Sequence, residues 1–253
     1  MRWDYGVQMT SGAKTCQSAL PIPERTPVSL MLIFDCTQAT CDFFSKKVKG
    51  KVVSQLQLSS SEDSLQDVGS SLYPAERWQL HVTKFGRTNV LLAMEVDTRY
   101  AMLFVSLKRN DFEGFFQQFL ERYLGVMALM SANMQLSLPP QAQLQQHITR
   151  WEQSLRDVHF FKRNDRSVQT HINQVLDLAA YPAYERQSIP VEFQELIEFD
   201  ELANRFLRAV RGSEYFYPAE VQIQLGYPRL GGTMTHEEVA AAYQSYRQDI
   251  YGF

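Results

Sequence analysis

Long apolar runs are absent from this sequence of 253 residues, and none approaches the roughly 20 residues that a helix needs to cross a bilayer. The amino terminus also lacks a basic stretch followed by an apolar one, so we predict no secretory signal. Cysteine is scarce, and its odd count of three argues against a framework of disulfides. These absences predict reduced thiols, a cytoplasmic location and no membrane partner.

The strong motifs for cofactor binding, metal binding and nucleophilic catalysis are missing as well. The sequence has no glycine-rich phosphate-binding loop, no G-x-G-x-x-G, no H-E-x-x-H and no G-x-S-x-G. The five histidines are scattered, and Cys36 and Cys41 stand five residues apart without the second cysteine pair of a zinc site. We therefore predict no cofactor, no metal and no catalytic residue. A protein that is not an enzyme is favoured, and the enzyme alternative stays open.

A strong charge of one sign is also absent. The formal net charge of -3 argues against a strongly basic nucleic-acid binder, although a local basic patch is compatible with it. Three short basic runs occur: Lys46, Lys47, Lys49 and Lys51, then Lys108-Arg109, then Lys162-Arg163. Such runs are usually solvated surface, so a nucleic-acid-associated regulator is only an alternative hypothesis.

Apolar and aromatic residues are plentiful, and they centre on residues 89–130. Residues 89–96 and 100–107 are nearly continuous apolar runs, which predicts two strands covered on both faces. The three-residue gap between them predicts an antiparallel hairpin, and the alternating residues 78–85 add a third strand. A helix capped by Asn110 or Asp111 then follows, with an apolar stripe against the hairpin and a polar face opposite. That polar face comprises Glu113, Gln117, Gln118, Glu121 and Arg122.

This pattern predicts an α+β fold, with a small antiparallel meander sheet covered by helices and a mostly helical C-terminal half. Residues 1–30 have no clear period and predict a loosely ordered extension; an arm packed on the body is the alternative. Residues 31–137 form the sheet-containing half, and 138–253 the helical half packed on it as one body. The local predictions are helices at 38–47, 141–158, 166–179 (ended by Tyr181-Pro182) and 193–211 (closed by Gly212), and an exposed strand at 221–225.

The first candidate ligand site lies where the segment Asn164-Asp165-Arg166-Ser167 opens a helix. A helix amino terminus offers free N–H groups and partial positive charge to an anion. Two neighbouring polar stripes continue from it: Arg166, Thr170, Asn173 and Asp177, and beside them Ser167, His171 and Gln174. Two interpretations account for this pattern. One is a binding site for a phosphate or carboxylate ligand, and the other is a capped helix whose polar side faces solvent.

Two further candidates lie at turns. Arg99 and Tyr100 follow the first strand of the hairpin, where an arginine can bind an acidic ligand, pair with a carboxylate or simply face solvent. Cys36 and Thr37 lie at the first strand-to-helix junction, where a thiol can have a lowered pKa.

The segment from Met31 to Thr37 resembles the opening of a family of uncharacterised bacterial proteins, which begin with a short apolar strand and a Cys-Thr pair. The same family carries an Arg-Tyr pair like Arg99-Tyr100, and later an Asn-Asp-Arg-Ser-Val motif like residues 164–168, with an asparagine like Asn173 downstream. The resemblance covers residues 31–180. It implies an α+β fold and a bacterial accessory gene, with no known activity.

Three functional hypotheses follow. The favoured one is a non-catalytic cytoplasmic accessory protein that binds a macromolecule, most plausibly a protein partner or a second copy of itself. The second is an enzyme or sensor for a small anion or nucleotide, and it requires Arg99, Arg166, Ser167 and Asn173 to converge on one cleft, with Cys36 as an optional member. The third is the nucleic-acid-associated regulator, which the charge balance does not favour.

Overall fold

The computed structural model describes residues 30–54, 56, 75–185, 189–210, 212 and 214–251. In chain order these form β1 (Leu30–Cys36), α1 (Gln38–Phe43), β2 (Ser45–Val48), β3 (Lys51–Ser54), β4 (Ala75–Phe85), β5 (Thr88–Glu95), β6 (Ala101–Val105), α2 (Phe112–Asn133), α3 (Gln141–Ser154), β7 (Leu155–Lys162), α4 (Arg166–Glu185), α5 (Phe193–Asn204), α6 (Pro218–Gly226), a 3-10 turn (Tyr227–Leu230) and α7 (His236–Tyr251). The predicted extension at residues 1–30 lies outside the described residues, apart from Leu30 in β1. None of the helices in the described ranges is long and apolar enough to cross a membrane.

The main sheet has five strands in the order β6-β5-β4-β1-β7. The predicted α+β class is confirmed, and so is the antiparallel succession of β4, β5 and β6. The prediction of a simple meander is wrong, because β1 pairs in parallel with both β4 and β7. Parallel partners are joined by long crossovers, so no short turn in the sequence signals them. The sheet therefore takes strands from both halves of the chain.

Helices cover both faces of the sheet, as the uninterrupted apolar strands predict. Leu91 and Phe104 point to one face and pack with α2, α6 and the 3-10 turn. Leu92 and Leu103 point to the other face and pack with α4 and α5. Each of these four side chains is at most 1 % exposed, so the central hairpin is completely enclosed.

Aromatic rings fill the core on the α2 face. Phe34 of β1 lies 5.4 Å from the ring centre of Phe119 and 5.9 Å from that of Phe160. Asp111 starts α2, since its side chain accepts a hydrogen bond from the Gly114 amide at 3.0 Å. The strand, the cap and the apolar stripe together hold α2 against the hairpin.

Several predicted local elements are wrong. Helix α1 ends at Phe43 because the next residues form the β2–β3 hairpin, and α3 ends at Ser154 because β7 joins the sheet beside β1. Helix α4 continues through Pro182 to Glu185, and α5 ends at Asn204 well before Gly212. The predicted strand at 221–225 lies inside α6, where Pro218 occupies the first turn. In each case pairing or packing with distant residues outweighs the local pattern.

Strand β6 is the edge of the sheet, and polar side chains satisfy its outward backbone groups. Asp200 of α5 accepts from the Leu103 amide at 2.9 Å. Asn204 accepts from the Ala101 amide and donates to the Ala101 carbonyl, both at 2.7 Å. Arg122 of α2 donates to the Leu103 carbonyl and forms an ion pair with Asp200. Arg122 was predicted on the solvent face of α2, but it is buried at this edge.

We expect Asp200→Leu to lower the free energy of unfolding by about 3–5 kcal/mol, because it leaves the buried Arg122 charge without its partner. Chemical denaturation followed by circular dichroism measures this change. Glu198→Leu, on the exposed face of the same helix, is the matched control and should change stability by less than about 0.5 kcal/mol. Equal losses in the two variants would contradict the role given to this edge contact.

Candidate functional site

Arg99 lies in the turn between β5 and β6. Its φ of 58° is left-handed, a conformation that costs a non-glycine residue roughly 1–2 kcal/mol. The turn is held closed because the Arg99 amide donates to the Glu95 carbonyl at 3.0 Å and the Glu95 amide donates to the Tyr100 carbonyl at 2.8 Å. The fold therefore fixes the direction in which this arginine leaves the backbone, and only 3 % of the residue is exposed.

Gln79 of β4 fixes the start of helix α4. Its side-chain oxygen accepts from the Asp165 amide at 2.8 Å, and its amide nitrogen donates to Asn164 at 2.9 Å and to Gln169 at 3.1 Å. The Asp165 carboxylate then caps the helix by accepting from the Ser167 amide at 2.8 Å. The helix amino terminus is thereby anchored to a fully buried residue of the sheet.

Ser167 and His171 bring the first turns of α4 to Arg99. The Arg99 Nη2 atom donates to the Ser167 Oγ atom at 3.2 Å, while Nη1 donates to the Val96 carbonyl. His171 follows Ser167 by four residues, on the same side of the helix. Ser167 is exposed and His171 is partly buried, so this side of α4 leads from solvent to the buried guanidinium.

Arg208 supplies a second buried guanidinium from the segment after α5. Its backbone pairs with that of Phe216 in an isolated bridge, its Nη1 atom donates to Gln174 at 3.2 Å, and its Nη2 atom donates to the Ala203 carbonyl at 3.3 Å. Only 6 % of Arg208 is exposed. We call Arg99, Ser167, His171, Gln174 and Arg208 the arginine cluster.

Positive charge dominates the arginine cluster. Burial, followed by repulsion from Arg99, lowers the pKa of Arg208 to about 10. Burial, followed by the charges of Arg208 and Arg99, lowers the pKa of His171 to about 4, so the imidazole is neutral at pH 7. Burial also lowers the pKa of Arg99. The charges of Asp165, and then of Glu95 and Asp97, act in the opposite direction.

The cluster has donors without acceptors. Among the described residues, neither Arg99 nor Arg208 has a carboxylate within ion-pair distance. The Nε atoms of both arginines and the Nδ1 atom of His171 are buried without a hydrogen-bond partner. Two guanidinium groups with unpaired Nε–H donors and no carboxylate at ion-pair distance suit an oxyanion.

A polar network on the other face of the sheet differs from the arginine cluster, because its acidic groups are paired with donors. Glu76 pairs with Arg229 there and accepts a hydrogen bond from Tyr123 at 3.4 Å. Glu95 accepts from the backbone amides of Asp97 and Thr98, and burial raises its pKa to about 7. Acceptors and donors are matched in this network, whereas in the arginine cluster they are not.

The predicted site residues separate into two groups. Arg99, Ser167 and His171 come together, while Asn164 and Asp165 hold the start of α4. The side chains of Arg166 and Asn173 belong to the exposed stripe of α4, and Asn173 contacts Gln169 at 2.9 Å. Among the described residues, neither Arg166 nor Asn173 contacts Arg99, and the neighbouring stripe reaches it through Ser167.

The remaining predicted residues lie elsewhere. Tyr100 is buried in the core on the α2 face, and burial raises its pKa. Thr37 caps α1 and contacts His81 at 3.2 Å. Cys36 is buried in the same core as Tyr100, and a hydrogen bond with Cys41, followed by burial, raises its pKa. A lowered thiol pKa was expected at Cys36 but occurs at Cys41, where it falls to about 7.

Sequence patterns missed two members of this arrangement. Gln79 stands in a strand whose alternation placed it toward solvent, yet it is fully buried. Arg208 lies in a stretch that was predicted to be helical, and no motif marks it. Over the described ranges, no three His, Cys, Asp or Glu side chains lie close enough to hold a metal, and no hydrogen bond joins Ser167 to His171 as a nucleophile and base.

The comparison with protein families gives one match. A family model described as a domain of unknown function, DUF6933, matches residues 33–221 and so includes every residue of the arginine cluster. The predicted resemblance to an uncharacterised family is confirmed, and the matched region extends beyond residue 180 through α5. No curated protein and no solved structure matches the chain.

We expect Gln79→Leu to lower the free energy of unfolding by about 2–3 kcal/mol, because the Asp165 amide and the Asn164 side chain lose their partner. Hydrogen exchange at the Asp165 amide should accelerate, which reports on the start of α4 directly. Gln143→Leu, at an exposed position of α3, is the control and should leave both the free energy of unfolding and the exchange rate at Asp165 unchanged. Unchanged exchange at Asp165 in Gln79→Leu would contradict the anchoring role of Gln79.

Proposed function

We propose, for a chain that belongs to the DUF6933 family, that its arginine cluster binds a small phosphate-bearing ligand and that the protein acts as a non-catalytic receptor for it. This is the small-anion hypothesis, with Arg208 and His171 in place of Arg166 and Asn173. It rests on one observation: two buried guanidinium groups have no carboxylate partner among the described residues. Burying an uncompensated charge costs several kcal/mol, and a bound anion removes that cost.

A phosphate group suits the cluster better than a carboxylate. A single guanidinium fork is enough to bind a planar carboxylate in a bidentate manner. The cluster instead offers two guanidinium groups, each with a buried Nε–H that lacks an acceptor. A dianionic, tetrahedral phosphate group accepts from both and balances both charges. Ser167, exposed beside Arg99, gives the ligand an approach from solvent.

Isothermal titration calorimetry with inorganic phosphate tests the proposal. We expect saturable binding that Arg208→Gln weakens by about 10–100-fold, since a hydrogen bond to a charged group contributes about 1.5–3 kcal/mol. Arg166→Gln is the matched control, because Arg166 is exposed on the same helix outside the cluster. Acetate should bind much more weakly than phosphate. Equal binding by wild type and Arg208→Gln, or a preference for acetate, would overturn the proposal.

The titration of His171 supplies an independent readout that does not require a variant. Its pKa is about 4 in the folded protein and 6.5 ordinarily, so its contribution to stability is present above pH 6.5 and is lost as pH falls toward 4. A bound dianion offsets the charges of Arg99 and Arg208 that lower this pKa. We therefore expect phosphate to raise the pKa of His171 in an NMR titration. A His171 pKa that does not respond to saturating phosphate would contradict the site.

A second candidate function is binding of a protein partner or a second copy of the chain. The segment around Arg208 favours it, because Phe206, Leu207 and Tyr215 are 48 %, 51 % and 75 % exposed beside the Arg208–Phe216 bridge. Large apolar side chains grouped on one segment are typical of interfaces. We expect Leu207→Ser with Tyr215→Ser to abolish concentration-dependent self-association in sedimentation velocity. A wild-type chain that stays monomeric at all concentrations would exclude the homo-oligomer version.

A further inference from the structure

The fold brings together the three basic runs that are separate in the sequence. The run at 108–109 lies against the end of α1, since Arg109 donates to the Asp42 carbonyl at 3.1 Å and the Asn110 amide donates to the Phe43 carbonyl at 3.0 Å. The β2–β3 hairpin, which carries the run at 46–51, starts directly after α1, and the Ser45 hydroxyl donates to the Cys41 carbonyl at 2.6 Å. Two of the three runs therefore share one neighbourhood around α1.

The third run, at 162–163, reaches α1 from the other side. The Arg163 amide donates to the carbonyl of Cys36, the last residue before the cap of α1, at 3.2 Å. A hydrogen bond with Cys36, followed by the positive charge of Lys162, lowers the pKa of Cys41 inside that helix. The side chains at 108–109 and 162–163 are all exposed. We call the runs at 46–51, 108–109 and 162–163 together the basic face.

The β2–β3 hairpin carries the largest share of the positive charge of the basic face. Lys46, Lys47, Lys49 and Lys51 are all exposed, and no acidic residue occurs from 45 to 54. The turn at Lys49 and Gly50 has φ values of 49° and 80°, the two left-handed positions of a tight hairpin turn. In the described part of the chain β2 and β3 pair only with each other, so both outer edges of the ribbon are open.

We propose that the basic face docks on the backbone of duplex DNA, with the β2–β3 hairpin as a ribbon directed at the major groove. This goes beyond phosphate-ligand binding by the arginine cluster and uses none of its residues. Charge complementarity carries the argument, because all three basic runs lie against α1 or its flanking residues and have exposed side chains, in a chain whose net charge is -3. A two-stranded ribbon fits the major groove of B-DNA, which is about 12 Å wide.

The composition of the hairpin favours double-stranded over single-stranded nucleic acid as the partner. Residues 45–54 contain no aromatic side chain, so the hairpin has no platform on which to stack the bases of a single strand. Lysine predominates, which suits phosphate contacts that are independent of base sequence.

Fluorescence anisotropy with a 20-base-pair duplex, on the full chain and over a range of salt concentrations, tests this inference. We expect binding at 50 mM salt that weakens by about 10³–10⁵-fold at 200 mM, the range for six to ten phosphate contacts. Replacing Lys46, Lys47, Lys49 and Lys51 with glutamine should reduce the slope of log affinity against log salt by about 3 to 4. Replacing the same four with arginine keeps the charge and should preserve the slope.

Single variants and a competing polyanion complete the test. Lys47→Gln should reduce the slope by about 1, while Arg150→Gln, exposed on α3, should leave it unchanged. Arg208→Gln should also leave DNA binding unchanged, so failure of the phosphate proposal is distinguishable from failure of this one. Any of three results would overturn the inference. These are no binding at 50 mM salt, a slope of log affinity against log salt that is the same in the wild type and the lysine-to-glutamine variants, and tighter binding to poly-glutamate than to the duplex. The last result would indicate an acidic protein partner instead.

Discussion

Enclosure of the β5–β6 hairpin on both faces is the constraint on which this structure depends. Because water reaches neither face, each polar group at the edge and the tip of the hairpin must be satisfied by a side chain from a helix. At the edge, Asp200, Asn204 and Arg122 satisfy the backbone of β6. At the tip, the Thr98 hydroxyl donates to Gln222 of α6 at 2.8 Å, and Arg99 donates to Ser167 of α4. The hairpin tip thus fixes the helical layers on opposite faces of the sheet relative to each other.

The arginine cluster stands out because it departs from this rule. The network around Glu76 and Arg229, on the other face, balances acids against donors. Arg99 and Arg208 are buried as deeply, yet among the described residues neither has a carboxylate within ion-pair distance, whereas Arg122, whose Nε–H is also unpaired, has Asp200. An unpaired buried donor or charge lowers stability unless something else pairs with it. This imbalance is the physical reason for assigning a ligand to the cluster and none to the network.

The sequence predicted those parts of the fold that depend on neighbouring residues. The central hairpin and the cap at Asp111 have local signals and are confirmed. The parallel pairing of β1 with β4 and β7 depends on long crossovers, and no local pattern encodes it. The alternation at 221–225 favours a strand locally, but in α6 Gln222 and Ile223 are buried while Leu225 is 43 % exposed, so the tertiary contact decides.

The candidate site shows the same division. Arg99, Ser167 and His171 could be predicted from the sequence, because Arg99 lies at a predicted turn and the other two lie near a predicted helix start. Arg208 could not, since it reaches the cluster from an irregular segment in which its backbone pairs with Phe216. Helical periodicity assigns residues to stripes but does not say which stripe faces the protein, so it could not separate Arg166 from Ser167.

The most direct test of the central claim is a crystal structure of the protein soaked in selenate, a tetrahedral dianion whose selenium atom is located by anomalous scattering. Our account predicts one strong anomalous peak in contact with the guanidinium groups of both Arg99 and Arg208, with their Nε–H groups now donating to its oxygens. A map with no peak at the cluster, or a carboxylate found paired with both arginines, would contradict it.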